Sequence, residues 1–185
     1  METFFPSSDP INGPEKSPRK LHLLPILSNL QDFLAATIDE RARHCSLLGL
    51  DVSKRAIGIA GSDADWRLAT PVITIKRTGL KNDIEKLQSL ILERQAAALV
   101  IGFPLNMDGS EGPRCQAIRQ FAGDVDKVVN QPILLWDERL TTFAAEEHAR
   151  EIGLKGRKKD ERLDALAAAA ILEDALDSLQ QHLKG

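Results

Sequence analysis

The residues of this sequence best suited to chemistry are acidic side chains at the ends of apolar runs. Asp51 interrupts one apolar run, and Asp137 and Glu138 come directly after another. Asp164 stands much later, at the start of a helical pattern whose residues three, four and seven positions on are apolar. A carboxylate in apolar surroundings costs several kcal/mol unless it is paired or bound to a metal. These four acids are therefore the candidate catalytic residues.

Carboxylates gathered from distant parts of a chain are typical of sites for hard divalent cations. Mg²⁺ and Mn²⁺ prefer carboxylate and water oxygens as ligands. Two such ions about 4 Å apart can activate a water and stabilise the leaving oxygen when a phosphodiester bond is hydrolysed. The acids therefore predict metal-dependent phosphodiester cleavage, provided that the fold brings them together.

Each acid also has a purely structural explanation. Asp51 could end a strand at a turn, and the Asp137-Glu138-Arg139 run could be an exposed, salt-bridged corner. Asp164 could be an acid in the first turn of a helix, where the helix dipole favours it.

A basic run is the candidate contact for nucleic-acid phosphates. The chain has 24 Lys and Arg against 27 Asp and Glu, a net charge of −3, which argues against nonspecific coating of nucleic acid. Contact would have to use a local patch, and we find one in Lys155, Arg157, Lys158 and Lys159. The alternative is a solvated loop.

The elements that must position these residues follow from hydrophobic periodicity. Two short strands close together predict a hairpin, a third strand follows, and the chain then alternates between helices and strands. The predicted strands are 46–52, 56–61, 72–76, 98–103 and 133–136, and the predicted helices begin near residues 82, 113, 141 and 163. This order predicts an α/β protein of the ribonuclease-H-like fold, with a five-stranded mixed sheet flanked by helices.

The chain divides by composition into three parts. Residues 1–20 are rich in proline and small polar residues and predict a disordered lead-in, residues 21–45 a helical arm, and residues 46–185 the folded domain. No apolar run approaches the roughly 18 residues of a membrane span. The two cysteines have no metal-ligand spacing and suit a reduced compartment. These features predict a cytoplasmic protein without membrane contact.

Several blocks of sequence resemble the YqgF/RuvX family. They occur in order over about residues 46–180. The blocks are Leu48-Gly49-Leu50-Asp51, Ile57-Gly58-Ile59-Ala60, Ser62-Asp63, Ile101-Gly102-Phe103-Pro104-Leu105-Asn106-Met107-Asp108-Gly109-Ser110-Glu111-Gly112, Trp136-Asp137-Glu138-Arg139-Leu140-Thr141-Thr142, and Asp164 before Ala167-Ala168-Ala169-Ala170-Ile171-Leu172.

The resemblance implies a bacterial, cytoplasmic, ribonuclease-H-like nuclease using Mg²⁺ or Mn²⁺, with two ions expected. The family is described both as Holliday junction resolvases and as nucleases that mature the 5′ end of pre-16S ribosomal RNA. By position, Asp51, Glu138 and Asp164 become the metal ligands, with Asp137 the alternative to Glu138. Asn106 and Arg139 become candidate substrate-positioning residues. The implied partners are structured RNA, branched DNA or the small-subunit precursor, bound by a monomer or a homodimer.

One departure from the family pattern and two other classes of protein remain open at this point. Ser53 stands where the family has a glycine, which would alter the first turn or its approach to phosphate if that turn needs a positive φ. A ribosome-assembly factor without catalysis would keep the acids as a structural network. Actin-like ATPases and sugar kinases share the fold but use two such units.

Overall fold

The computed structural model describes residues 26–140 and 157–184, with the side chains of 26–139 and 163–184. The strands are β1 (Ile26–Leu27), β2 (Ser46–Val52), β3 (Ala56–Ser62), β4 (Ala69–Lys76), β5 (Ala96–Phe103) and β6 (Ile133–Asp137). The helices are α1 (Leu30–Ala42), α2 (Leu80–Glu93), α3 (Pro113–Asp126), a 3-10 turn (Glu138–Leu140) and α4 (Arg157–Lys184).

The strands form one mixed sheet in the order β1-β6-β5-β2-β3-β4. The β2–β3 and β3–β4 pairs are antiparallel, whereas β2, β5, β6 and β1 run parallel to their neighbours. Two hairpins followed by crossover connections are the arrangement of the ribonuclease-H-like fold, so the predicted fold class is confirmed.

The sheet has six strands, and the prediction of five was wrong. The additional strand β1 is two residues long and pairs in parallel with β6, with Ile26 opposite Ile133. The segment that periodicity predicted as one helix is therefore a strand followed by α1. Asn29 separates them, because its side chain accepts a hydrogen bond from the backbone N–H of Asp32 and caps the helix. The predicted lead-in at residues 1–20 lies outside the described residues.

Two apolar layers cover the sheet. Residues of β2, β3, β5 and β6 alternate between the faces, so that Leu48 and Leu50 contact the layer of α2 and α3 while Leu47 contacts the layer of α1 and α4. All eight residues of β5 are buried, as expected for a central parallel strand.

Helix α4 begins earlier than predicted. The sequence predicted a start at residue 163 after a basic loop, but α4 begins at Arg157, which places the backbone of Arg157, Lys158 and Lys159 in the helix. Arginine and lysine are good helix formers, and no glycine or proline interrupts the run after residue 156. Lys155 and the helix predicted near residue 141 lie outside the described residues. In the described ranges, no helix has the length and apolarity needed to cross a membrane.

Candidate active site

Asp51 lies near the carboxyl end of β2, on the face of the sheet that carries α4. Its neighbours Leu50 and Val52 point to the other face, into the α2–α3 layer. The Asp51 side chain is 15% exposed. Burial raises the pKa of the Asp51 carboxyl, and the nearby Arg114 guanidinium partly offsets that rise. The carboxylate is thus held at the edge of the core, where its negative charge is costly.

Glu138 reaches the same face from the next parallel strands. It follows β6 directly and is 8% exposed. Its side chain occupies the space over Gly102 of β5, where an added Cβ would lie 2.0 Å from Glu138 Oε1. Burial and the negative charge of Asp51 raise the pKa of Glu138 to about 7. The two carboxylates are therefore electrostatic neighbours, brought together from strands at opposite sides of β5.

Arg114 supplies positive charge to this pair, and the sequence reasoning missed it. Its Nη2 lies 3.3 Å from Asp51 Oδ1. It also acts to lower the raised pKa of Glu138. Helix α3 begins at Pro113, so Arg114 is in its first turn at the carboxyl end of the sheet. A basic residue at the start of the helix that follows a central strand is the signal that could have indicated it.

Asp137 points to the other face of the sheet from Glu138. It belongs to β6, opposite Phe103 of β5. Its carboxylate accepts hydrogen bonds from Arg139, with Nε 2.8 Å from Oδ2 and the backbone N 3.1 Å from Oδ1. Although burial acts to raise it, these hydrogen bonds and the Arg139 charge leave the pKa of Asp137 lowered. Glu138 rather than Asp137 is therefore the side chain that faces Asp51.

Asp164 comes to the same region on α4. An added Cβ on Gly58 would lie 1.8 Å from the backbone oxygen of Asp164. Gly58 is the residue of β3 that pairs directly with Asp51 of β2. The helix backbone at Asp164 thus presses on the sheet beside Asp51, and only a glycine at position 58 leaves room for it.

The donor chemistry of Asp51 and Glu138 fits a divalent cation as two of its ligands. Within the described residues, no group of three or more carboxylate, imidazole or thiolate side chains is placed to hold a metal. Mg²⁺ is commonly held by one or two carboxylates, with waters and substrate phosphates completing its shell. The buried, mutually repelling pair meets that requirement, since a cation would offset the charge that raises the pKa of Glu138.

The loop before α3 is organised by Asn106. Its side chain donates to Ser110 Oγ at 2.9 Å, and its backbone accepts from Gly109 N and donates to Ser110 O. Asn106 therefore closes the loop on itself, whereas the predicted direct role in positioning substrate remains a prediction. Arg139, paired with Asp137, is 35% exposed and lies near the same loop.

Ser53 closes the first turn without a positive φ. Its backbone is not among the described left-handed residues, and its Oγ accepts from Arg55 N at 3.3 Å and Ala56 N at 3.0 Å. These hydrogen bonds replace the conformational freedom of a glycine, so the β2–β3 hairpin forms with serine in place.

Comparison with known proteins agrees with this geometry. Residues 45–178 match the RuvX family, described as Holliday junction resolvase. A Roseobacter denitrificans protein named "Putative pre-16S rRNA nuclease" is 44% identical over 157 residues, 84% of this chain and 94% of that protein. A Rhodospirillum rubrum protein of the same name is 48% identical over 136 residues, 73% of this chain and 84% of that protein.

A solved structure with the same overall arrangement is "T. thermophilus RuvC in complex with Holliday junction substrate". It is 15% identical and aligns with a TM-score of 0.48, over 75% of this chain and 97% of that one. The family match covers most of the chain, and the two bacterial relatives exceed 40% identity over more than two thirds of it. This protein belongs to the RuvX family and is a nuclease, a hydrolase of phosphodiester bonds in nucleic acid.

Proposed function

We propose that this protein is a cytoplasmic, metal-dependent endonuclease that processes the 5′ end of pre-16S ribosomal RNA. Its substrate is structured RNA in the precursor of the small ribosomal subunit. Its relatives of 44% and 48% identity carry the name of a pre-16S rRNA nuclease, which supports this choice of substrate. We further propose two Mg²⁺ or Mn²⁺ ions as cofactors and Asp51, Glu138 and Asp164 as their protein ligands.

The observation that carries the proposal is the buried pair of Asp51 and Glu138. Two carboxylates in electrostatic contact destabilise a protein unless they perform some function that needs them there. They lie at the carboxyl end of the parallel strands, which is where α/β sheets place their working sites. The glycine opposite each, Gly58 and Gly102, leaves the space that the site requires.

The residues divide the work of the reaction between them. Asp51 and Glu138 would hold the cations, with Asp164 completing the set from α4. When bound, the ions supply activation of the attacking water and stabilisation of the leaving oxygen. Arg114 neutralises Asp51 in the free protein and, being 55% exposed, can turn toward a substrate phosphate at the same edge. Asn106 keeps the adjoining loop closed, and the basic run from Lys155 to Lys159 would attract the RNA backbone.

The proposal is tested by cleavage of two matched substrates, a pre-16S 5′ leader RNA and a four-way DNA junction. Each is incubated with Mg²⁺, with Mn²⁺ and with chelator. Asp51→Asn is the catalytic variant, and Asp177→Asn, at an exposed position of α4, is its matched control. We expect RNA cleavage that needs metal, is lost in Asp51→Asn and persists in Asp177→Asn.

The other outcomes contradict the proposal in different ways. Cleavage of the junction alone would make the protein a DNA resolvase, the activity in the family's description. Cleavage of neither substrate by folded protein that still binds metal would favour the assembly factor without catalysis. Cleavage that persists in Asp51→Asn would remove the acidic pair from the mechanism.

A further inference from the structure

A cavity of about 410 Å³ lies beside Asp137, on the face of the sheet opposite Glu138. Phe103, Leu105 and Leu135 form its apolar part. Glu111, Arg119 and Asp137 add polar groups to its lining. An apolar cavity of this size with a few convergent polar groups is typical of a site for a small ligand or a single chemical group. We name this cavity the β6 pocket.

Two side chains of the β6 pocket form a stacking surface. The Arg119 guanidinium lies over the Phe103 ring, with Cζ 5.0 Å from the ring centroid. Arg119 also forms an ion pair with Glu111, which fixes the orientation of the guanidinium plane. Aromatic rings and guanidinium planes are the two surfaces on which proteins stack unpaired nucleobases.

The charge of the β6 pocket favours a neutral ring over an anion. Its two carboxylates are each paired, Glu111 with Arg119 and Asp137 with Arg139. The ion pairs balance, so no net positive charge remains to attract a phosphate. Carboxylate oxygens can still accept hydrogen bonds from the amino and ring N–H groups on the edge of a base. A flat group with apolar faces and a polar edge therefore fits best.

We propose that the β6 pocket binds one unstacked nucleobase of single-stranded RNA, from a nucleotide next to the bond that is cut. The inference rests on the proposed function and adds a base-binding subsite to it. Asp137 lines the pocket and Glu138, the next residue, belongs to the acidic pair. A base held on one side of this sheet edge therefore places its own backbone beside Asp51 and Glu138. Duplex nucleic acid keeps its bases stacked, so the pocket selects an unpaired nucleotide.

The binding test uses leader RNAs that carry 2-aminopurine at single positions around the cut, because stacking quenches the fluorescence of this base. The protein is the full chain with Asp51→Asn, which keeps the RNA intact. We expect quenching on binding at one unpaired position and none at the others. An abasic nucleotide at that position should weaken binding about tenfold. Equal fluorescence at every position would overturn the inference.

Two variants of the β6 pocket test the same point by opposite changes. Arg119→Gln removes the stacking plane, and Leu105→Trp fills the cavity. Arg43→Gln is the matched control, because it removes a similar Arg–Glu pair from α1, with Glu40. Both pocket variants should abolish the quenching and weaken binding about tenfold, whereas the control should change neither. If both folded variants behave like the control, the inference is wrong.

Cleavage by the wild-type chain separates this inference from the proposed function. If complete and abasic RNAs are cut at equal rates with metal, the nuclease assignment stands and the base-binding subsite fails. If neither RNA is cut, the proposed function itself fails. If matched single-stranded DNA shows the same quenching as RNA, the pocket does not select the nucleic acid proposed for it.

Discussion

Glu138 is the residue whose environment departs furthest from that of an ordinary surface carboxylate. It is buried, faces the charge of Asp51, and has a pKa raised from 4.5 to about 7. Its native state therefore holds a proton more tightly than the unfolded chain does. The stability that the protonated form contributes is complete below pH 4.5 and is lost as the pH rises through about 7. Without a cation, the site weakens the fold at alkaline pH.

Glu138→Gln should therefore stabilise the metal-free protein at high pH. In chelator at pH 8.5, we expect a gain on the order of 2 kcal/mol in the free energy of unfolding, because a buried charge is removed. At pH 4.5 the variant and the wild type should differ little. Denaturant unfolding at both pH values measures the effect, with the exposed Glu85→Gln as control. A gain that is equal at the two pH values would contradict the electrostatic explanation.

Arg114 provides a second prediction, because its guanidinium and a cation compete for the same oxygen. The Nη2–Oδ1 distance to Asp51 is 3.3 Å. Arg114→Gln should tighten Mg²⁺ binding to the free protein about threefold, the value of a partly exposed ion pair. Calorimetry at pH 9 keeps both carboxylates ionised, so that the loss of Arg114 does not act through their protonation. Unchanged or weaker binding would show that Arg114 does not occupy the cation's place.

Sequence reasoning identified the acids of the site but not their directions. Asp51, Asp137, Glu138 and Asp164 were predicted from their apolar surroundings, and the structure brings Asp51 and Glu138 together. The choice between Asp137 and Glu138 depends on where β6 ends and which way each side chain points, which neighbouring strands decide. Arg114 was missed because its contact with Asp51 spans 63 residues of chain, and no local pattern reports such a contact.

At the scale of elements, the site depends on how closely α4 approaches the sheet. An added Cβ at Gly58 would lie 1.8 Å from the backbone oxygen and 2.2 Å from the backbone carbon of Asp164. An added Cβ at Gly49 would lie 2.6 Å from Leu172 Cβ. Two strands thus use glycine where the helix crosses them, and the same contact that packs the domain also fixes the position of Asp164.

Gly58→Ala should consequently damage both stability and activity. The helix backbone has to move, since the atoms that the new methyl group meets are main-chain atoms, and we expect a loss of about 3 kcal/mol. Gly123→Ala is the matched control, because nothing lies within 4 Å of a Cβ there and the glycine is inside α3. That control should gain about 0.5–1 kcal/mol from helix propensity. Thermal unfolding and RNA cleavage measure both variants, and equal stabilities would contradict the close approach of α4.

The elements themselves were predictable to different degrees. The strands from Ser46 to Asp137 follow from alternation and apolar runs, and their order indicated the fold. The strand β1 could not be predicted, because two residues carry no periodicity and its pairing with β6 joins positions more than a hundred residues apart. The start of α4 was misplaced because a run of positive charge resembles a loop in composition although it favours helix.

For the whole molecule, the distribution of charge sets how an acidic nuclease can bind a polyanion. The net charge is −3, and the candidate site adds Asp51 and Glu138 at the edge of the sheet. Attraction of RNA must therefore come from positive charge concentrated at one place. The backbone of Arg157, Lys158 and Lys159 forms the start of α4, the helix that carries Asp164. Binding there would bring RNA to the helix that contributes to the site.

Neutralising Lys155, Arg157, Lys158 and Lys159 to glutamine should weaken RNA binding in a salt-dependent way. Each lost phosphate contact lowers the slope of log affinity against log salt by about 0.7 for single strands, so four contacts predict a decrease of about 3. The control neutralises Arg43, Lys81, Lys86 and Lys127, which are exposed and lower the net charge equally. Binding titrations from low to moderate salt compare the two variants. If both lose the same affinity and slope, the effect is one of net charge, and the start of α4 is not the RNA contact.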